Sequence, residues 1–189
     1  MKTDRVFEQM LAFHCAPTLA GIKASSLITV QKDKIENFVS LLSEYEKCLA
    51  CKGMGFEVLR ENSQSALVLL YRHNALAAIL TNQKNKKLLS TLGYEGIEHV
   101  EDCLLRLKQK MQFDEGFPHE IGLLLGYPLT DVCGFIENRG QNFKLCGYWK
   151  VYSDLENSKV LFEQYERCST DFCQYLQNGS CIADLACAV

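Results

Sequence analysis

The sequence lacks a long hydrophobic run, a strong charge of either sign and a glycine-rich phosphate-binding motif. Its longest apolar runs, residues 66–71 and 121–125, are far too short to cross a bilayer. The net charge of −3 at pH 7 gives no support to a broad surface for binding nucleic acid. Gly53 and Gly55 are not followed by the third glycine and the helix that a dinucleotide-binding motif needs. Membrane-spanning proteins and the common nucleotide-binding motifs are therefore excluded.

A secretory signal is also absent from the start of the sequence. Met1 to Arg5 leads directly into an amphipathic pattern, without a long apolar segment or a small-residue cleavage site. We therefore expect a cytosolic protein with no membrane partner. Nearly half of the 189 residues are apolar, so we expect a single globular domain over residues 1–189, with an unassigned tail at 180–189.

The spacing of apolar residues predicts an α+β fold in which a small mixed sheet packs against several helices. Strands are predicted at residues 26–30, 56–60, 66–71 and 143–152, and the almost continuously apolar 66–71 strand is placed at the centre of the sheet. A first helix is predicted to end before Pro17, which leaves residues 14–23 as a loop. A longer helix is predicted from Asn74 to about Leu92.

Residues 117–136 form the best-specified segment. Pro118 and Pro128 each open an apolar stretch, as proline does in the first turn of a helix, and Gly126 ends the first stretch. This pattern predicts two short helices joined by a tight turn. His119 and Glu120 then lie beside the amide donors of the first helix, where a carboxylate is favoured by the helix dipole.

The paired helices also match the spacing of a DNA-binding helix-turn-helix. However, the second helix offers a single cation, Arg139, beside Asp131 and Glu137, and phosphate binding needs more positive charge. We therefore interpret the segment as a helical corner packed on the sheet. An adaptor or nucleic-acid-binding role is the third functional hypothesis, and nucleic acid is not favoured as a partner.

Two short His-containing motifs carry the first functional hypothesis, which is a metal ion or small cofactor bound by a His/Cys/Glu cluster. If the predicted loop after the first helix folds onto the start of the corner, His14, Cys15, His119 and Glu120 form a cluster suited to zinc or iron(II). The alternative is a hydrogen-bonded core histidine and buried thiol at 14–15, and a helix-start role for the second pair. The zinc-protease spacing is absent, because Leu123 stands where the second histidine would be.

The second hypothesis is an enzyme that uses Cys15 as nucleophile and His14 or His119 as base. A thiolate is the nucleophilic form of cysteine, and a neighbouring imidazolium lowers the pKa that controls it. For the first hypothesis, Lys23, Arg72 and Lys150 are further candidates, as charge partners of an anionic ligand.

The ten cysteines are dispersed along the chain, and without a secretory signal we expect free thiols, metal ligands or redox centres rather than disulfides. Cys48 and Cys51 form a C-x-x-C motif, but it lies at the end of a predicted helix, where the dipole does not stabilise a thiolate. Further candidate ligands are Cys168, Cys173, Cys181 and Cys187, but Cys168 follows the core periodicity of its helix. Thiols without a dedicated role are the favoured interpretation.

Several segments together resemble a bacterial family, domain of unknown function 3793. The resemblance covers nearly the full length, and it implies a cytosolic protein of anaerobic bacteria without implying a particular reaction. The matching segments are residues 14–21, the neighbourhood of Arg72, residues 92–94, 117–134 and 147–152.

Overall fold

The structure is a computed structural model that describes residues 4–35, 37–113 and 117–188, so the start of the chain and the last residue of the tail lie outside it. The described residues contain both helices and strands, and the α+β class is confirmed. In chain order the elements are α1 (Arg5–Leu19), β1 (Ser25–Gln31), a 3-10 turn (Lys32–Lys34), α2 (Phe38–Ala50), β2 (Met54–Glu61), β3 (Ser65–Arg72), α3 (His73–Thr81), α4 (Gln83–Thr91), α5 (Val100–Phe113), α6 (Ile121–Leu124), α7 (Leu129–Glu137), β4 (Leu145–Cys146), β5 (Lys150–Val151), α8 (Leu155–Gln177) and α9 (Ile182–Leu185).

The main sheet has three strands in the order β1-β3-β2, with the predicted apolar strand at its centre. Both pairings are antiparallel, whereas the sequence predicts a mixed sheet. The pairing of β2 with β3 is antiparallel because a tight hairpin connects the two strands. The Asn62 side chain accepts hydrogen bonds from the amides of Gln64 and Ser65 at 2.8 Å and so fixes that turn.

The two faces of the sheet contribute to two hydrophobic clusters. Because side chains alternate along a strand, Val68 and Leu70 of β3 pack with α1 and α2 on one face. Leu69 packs with α3, α5 and α6 on the other face. The tail is part of the first cluster, since Ile182 and Ala186 of the α9 segment are buried there. None of the helices in the described ranges is long and apolar enough to span a membrane.

Two helix boundaries differ from the prediction. α1 continues through Pro17 to Leu19, because Cys15, Ala16 and Leu19 are fully buried and their packing favours the helical path despite the missing proline amide. The helix predicted from Asn74 to Leu92 is divided at Asn82. The Asn82 side chain accepts from the amides of Lys84 and Asn85, so it caps a new helix, α4.

The strand predicted at residues 143–152 is instead a short hairpin. β4 and β5 pair antiparallel around a turn that contains Gly147, whose amide donates to the Trp149 carbonyl at 3.1 Å. Gly147 allows this turn to approach α8 closely, because a Cβ at its position would lie 2.2 Å from Cε2 of Phe162 on α8. The hairpin therefore lies directly against α8.

Asp131 of α7 holds this hairpin in place. Its buried carboxylate accepts hydrogen bonds from Trp149 Nε1 at 2.7 Å and from the amides of Tyr152 and Ser153 at 2.9 and 2.8 Å. The Ser153 hydroxyl is a further partner of the same carboxylate at 2.7 Å. α7 thus packs against the hairpin, as expected for a packed helical corner.

Candidate functional site

Lys23 is positioned by the end of α1. Gly21 adopts a positive φ of 85°, which turns the chain away from the helix. The carbonyl of Pro17 then accepts hydrogen bonds from the amides of Ile22 and Lys23 at 2.9 and 3.1 Å. Three residues later, the hydroxyls of Ser26 on β1 and Thr18 on α1 are 2.8 Å apart. The backbone of Lys23 is therefore fixed on both sides.

The Lys23 side chain lines a cleft of about 970 Å³, which we call the Lys23 cleft. Its volume is within the range of pockets that take cofactor-sized ligands. The cleft lies between α1, the start of β1, the end of α6, the β4–β5 turn and α8. Its lining residues are Phe13, His14, Lys23, Ser26, Leu27, Leu125, Tyr127, Gly147, Tyr148, Phe162, Glu166, Ser169, Thr170, Cys173, Gln174 and Gln177.

The rings of Tyr127, Tyr148 and Phe162, which come from three parts of the chain, form one wall of the Lys23 cleft, and Trp149 and Tyr165 pack against them. Tyr127 stacks on Trp149 with centroids 5.0 Å apart, and Trp149 meets Phe162 edge-on at 4.5 Å. Tyr148 contacts Tyr165 edge-on at 5.2 Å. Such edge-on and stacked pairs favour a defined geometry, so this wall is preformed.

The Lys23 ammonium lies close to this wall. Its Nζ is 5.6 Å from the ring centroid of Tyr127 and 6.0 Å from that of Tyr165, within the range of cation–π contacts. Burial lowers the pKa of Lys23 to about 8, against a smaller opposing effect from Cys15. Within the described part of the chain, no Asp or Glu oxygen lies within 4.0 Å of Nζ.

The residues of the predicted metal site are not brought together. Cys15 is 0% exposed inside the core, whereas His14, the next residue, is exposed at the rim of the Lys23 cleft. His119 is exposed and packs against Phe135, with ring centroids 5.0 Å apart. Across the described ranges, no group of three or more His, Cys, Asp and Glu residues could hold a metal ion. The predicted loop is in fact the last turns of α1, and adjacent helical residues point in different directions.

Glu120 has a structural environment instead. It is 2% exposed, stands at the start of α6 and forms an ion pair with Lys110 of α5. Burial, and then the Glu120 carboxylate, raise the pKa of Tyr94, which stays protonated. The ion pair therefore joins α5 to the helical corner, and this arrangement does not support Glu120 as a metal ligand.

The position of Cys15 opposes the nucleophile hypothesis. Burial raises the pKa of its thiol to about 12, so the reactive thiolate is scarce at neutral pH. The alternative interpretation of residues 14–15 predicts a core histidine beside a buried thiol. Cys15 is that buried thiol, but His14 is not a core histidine.

We expect Cys15 to be among the slowest thiols of the folded protein to react. Native alkylation with iodoacetamide, followed by peptide mapping, should label the exposed Cys51 and Cys187 at least about tenfold faster, because a buried neutral thiol is a poor nucleophile. In denaturant, the three should react alike. Faster native labelling of Cys15 would restore the cysteine-enzyme hypothesis.

The other two candidate cations have different surroundings. Arg72 is 4% exposed and donates to the carbonyls of Thr18, Leu19 and Cys187 at 2.5, 2.6 and 2.8 Å, so it joins α1 to the tail. Lys150 donates to the Gly140 carbonyl at 2.7 Å. Of the three predicted cations, Lys23 is therefore the one that lines the Lys23 cleft.

Lys150 and His119 line a second, smaller cavity of about 330 Å³. It shares Leu125, Tyr127 and Gly147 with the Lys23 cleft, so the two cavities are neighbours. Cys15 and Glu120 line neither cavity.

The C-x-x-C motif lies at the end of α2, as predicted, and the Cys51 thiol donates to the Cys48 carbonyl at 3.3 Å. Cys168 and Cys173 of α8 pack against the core. α6 has only four residues, and Asp131 of α7 is buried against the hairpin, so neither helix is displayed as a recognition helix. A role in nucleic-acid binding stays a disfavoured prediction.

Sequence reasoning missed most of the Lys23 cleft. Ser26, Tyr127 and Glu166 lie on three elements that are far apart in the chain, so no local spacing connects them. The one available signal was Lys23 itself, a charged residue directly after a helix end marked by Gly21.

Comparison with known proteins places the chain in a family without supplying a function. No curated protein and no solved structure matches the chain. A family model described as a protein of unknown function, DUF3793, matches residues 11–186, which is nearly the whole chain and includes every described residue that lines the Lys23 cleft. The chain therefore belongs to the DUF3793 family.

Proposed function

We propose that this protein binds a small organic anion in the Lys23 cleft. The observation that carries the proposal is a half-buried ammonium group that lines a large cleft and has no carboxylate partner among the described residues. A charge taken out of water is costly unless it is paired. An anionic group from a ligand would supply the missing partner.

The walls of the cleft define the rest of the ligand. Tyr127, Tyr148 and Phe162 offer apolar ring surface, which fits a flat or apolar body. The hydroxyl of the exposed Thr170 donates to the Glu166 carbonyl at 3.0 Å and can still accept a hydrogen bond from a ligand hydroxyl. A lysine acts as a point charge, so a carboxylate and a phosphate monoester share the recognising chemistry.

A thermal-shift screen with small aromatic carboxylates and phosphate monoesters tests the proposal. A ligand at about 100 times its dissociation constant stabilises the folded state by about 2.7 kcal/mol, which raises the melting temperature by several degrees. Lys23→Met should reduce the shifts to about half or less, and Lys84→Met, which changes an exposed lysine on α4, should keep them. If no anion shifts the wild type, or if Lys23→Met keeps every shift, the proposal is wrong.

We also expect Lys23→Met to make the ligand-free protein more stable, since it removes a poorly solvated charge. Burial holds the pKa of Lys23 at about 8 instead of its usual value of 10.5, so the unfolded chain binds more protons between these values. The gain should be about 1 kcal/mol at pH 7, allowing for the solvent that reaches a half-buried side chain.

The pH dependence of this gain has a definite sign. The loss of folding stability caused by the charged Lys23 is fully present below pH 8 and disappears as the pH rises toward 10.5. Urea unfolding of both proteins at pH 7 and pH 10 measures it, because other titrating groups cancel in the difference. A variant less stable than wild type at pH 7 would show that Lys23 is a structural residue.

A cytosolic location stays a prediction from the sequence. No disulfide joins the cysteines of the described residues, which supports a reducing compartment. The small-ligand half of the first hypothesis is thus retained in the proposal, whereas the metal half has no assembled site among the described residues.

A further inference from the structure

We propose that the amine of Lys23 also forms a reversible imine with an organic acid that carries an aldehyde or ketone group, preferably next to its carboxylate. This inference rests on the proposed function, since it names a substrate class for the same cleft. It assigns to Lys23 a covalent role in addition to its charge.

The geometry supports one reactive amine in a defined place. Lys23 is the one primary amine among the described residues that line the cleft. Its backbone is fixed by the Pro17 carbonyl, and its Nζ lies near the rings of Tyr127 and Tyr165. An amine that is only partly solvated, and that no carboxylate of the described residues holds, is free to attack a bound carbonyl carbon.

The acid-base properties agree with this role. Burial lowers the pKa of Lys23 to about 8, so a substantial part of the amine is neutral near physiological pH. The ordinary lysine is almost fully protonated there, and only the neutral amine is a nucleophile. Burial also raises the pKa of Tyr127 to about 12, so this hydroxyl keeps its proton and is a hydrogen-bond donor in the same cleft.

The step balances without an oxidant or a reductant. The lone pair of Nζ forms a bond to the carbonyl carbon, and the carbonyl oxygen takes up the two amine protons and leaves as water. Protonation of the imine nitrogen gives an iminium ion, which has the same charge as the original ammonium. The carboxylate of the bound acid therefore remains paired in the product.

Reductive trapping tests the inference on the wild-type protein. Glyoxylate with sodium cyanoborohydride converts an imine into a stable carboxymethyl-lysine, and peptide mapping locates it. We expect Lys23 to be labelled on the order of tenfold to a hundredfold faster than the exposed Lys84, because of its larger neutral fraction. Propanal, which is uncharged, is the matched probe without a carboxylate.

The outcomes separate this inference from the proposed function. A larger ratio of Lys23 to Lys84 labelling with glyoxylate than with propanal supports both, and equally large ratios with the two probes support the imine but contradict the anion site. Labelling of Lys23 no faster than Lys84 with both probes overturns the inference. Lys23→Arg keeps the charge but cannot form the imine. If this variant binds anions and the wild type is not trapped, the imine inference is wrong and the proposed function still holds.

Discussion

Replacing Asp131 by alanine is expected to lower the free energy of unfolding by about 3–5 kcal/mol, the cost of breaking a buried charged network. The carboxylate is 2% exposed and accepts from Trp149, Tyr152 and Ser153, so its removal leaves buried donors without partners. The melting temperature should fall by roughly 10 °C or more in a chain of this size. Calorimetry or urea unfolding measures the loss.

A matched control lies on the same helix. Thr130 donates to the Ser153 hydroxyl at 2.9 Å from an exposed position, so Thr130→Ala should cost less than about 1 kcal/mol. Similar losses for the two variants would mean that Asp131 does not hold the hairpin.

The Asp131 effect should also depend on pH. Burial alone would raise the pKa of this carboxyl, but hydrogen bonds from Ser153, Tyr152 and Trp149 outweigh it and lower the pKa below its usual value of 3.8. The ionised carboxylate therefore contributes its stabilisation above about pH 4, and the contribution is lost as the pH falls through the lowered pKa. The difference between wild type and Asp131→Ala should shrink in strong acid.

Anion binding should weaken by about 10–100-fold in Lys23→Met, because one charge-assisted contact contributes about 1.5–3 kcal/mol. Lys23→Arg should restore much of the affinity, because it restores the charge. Isothermal titration of the best anion from the screen gives these ratios, and Lys84→Met should bind as the wild type does. Equal affinities for wild type and Lys23→Met would place the anion elsewhere.

Affinity should also fall as the pH rises above about 8, where Lys23 loses its proton. The nearby groups do not reproduce this midpoint. Burial raises the pKa values of Cys15 and Tyr127 to about 12 and that of Tyr165 above its usual value. Burial lowers the pKa of His14. Glu166, the carboxylate among the described residues that line the cleft, is exposed. Affinity that is constant between pH 7 and pH 9.5 would contradict Lys23 as the anchor.

The sequence was sufficient for most of the fold. Continuous apolar character placed β3 at the centre of the sheet, and the proline and glycine positions predicted the helical corner of α6 and α7. It was insufficient where packing outweighed local preference. Pro17 stays within α1 because buried neighbours favour the helix, and the predicted strand over residues 143–152 bends at Gly147 against Phe162.

The candidate site was less predictable, because it depends on contacts between distant parts of the chain. Adjacent residues such as His14 and Cys15 were expected to act together, yet the helix places one in solvent and the other in the core. Lys23 was predicted as a charge partner. Its aromatic neighbour Tyr165 follows it by more than a hundred residues, and no local pattern connects the two.

A measurement of the pKa of Lys23 is the most direct test of the proposed anion site. NMR of protein labelled with ¹³C in its lysine side chains, assigned with Lys23→Arg, measures the pKa of this amine with and without the best-binding anion. We predict a pKa of about 8 in the free protein and a clearly higher value in the complex, where an anion stabilises the ammonium form. An ordinary lysine pKa that does not change on addition of the anion would contradict the account.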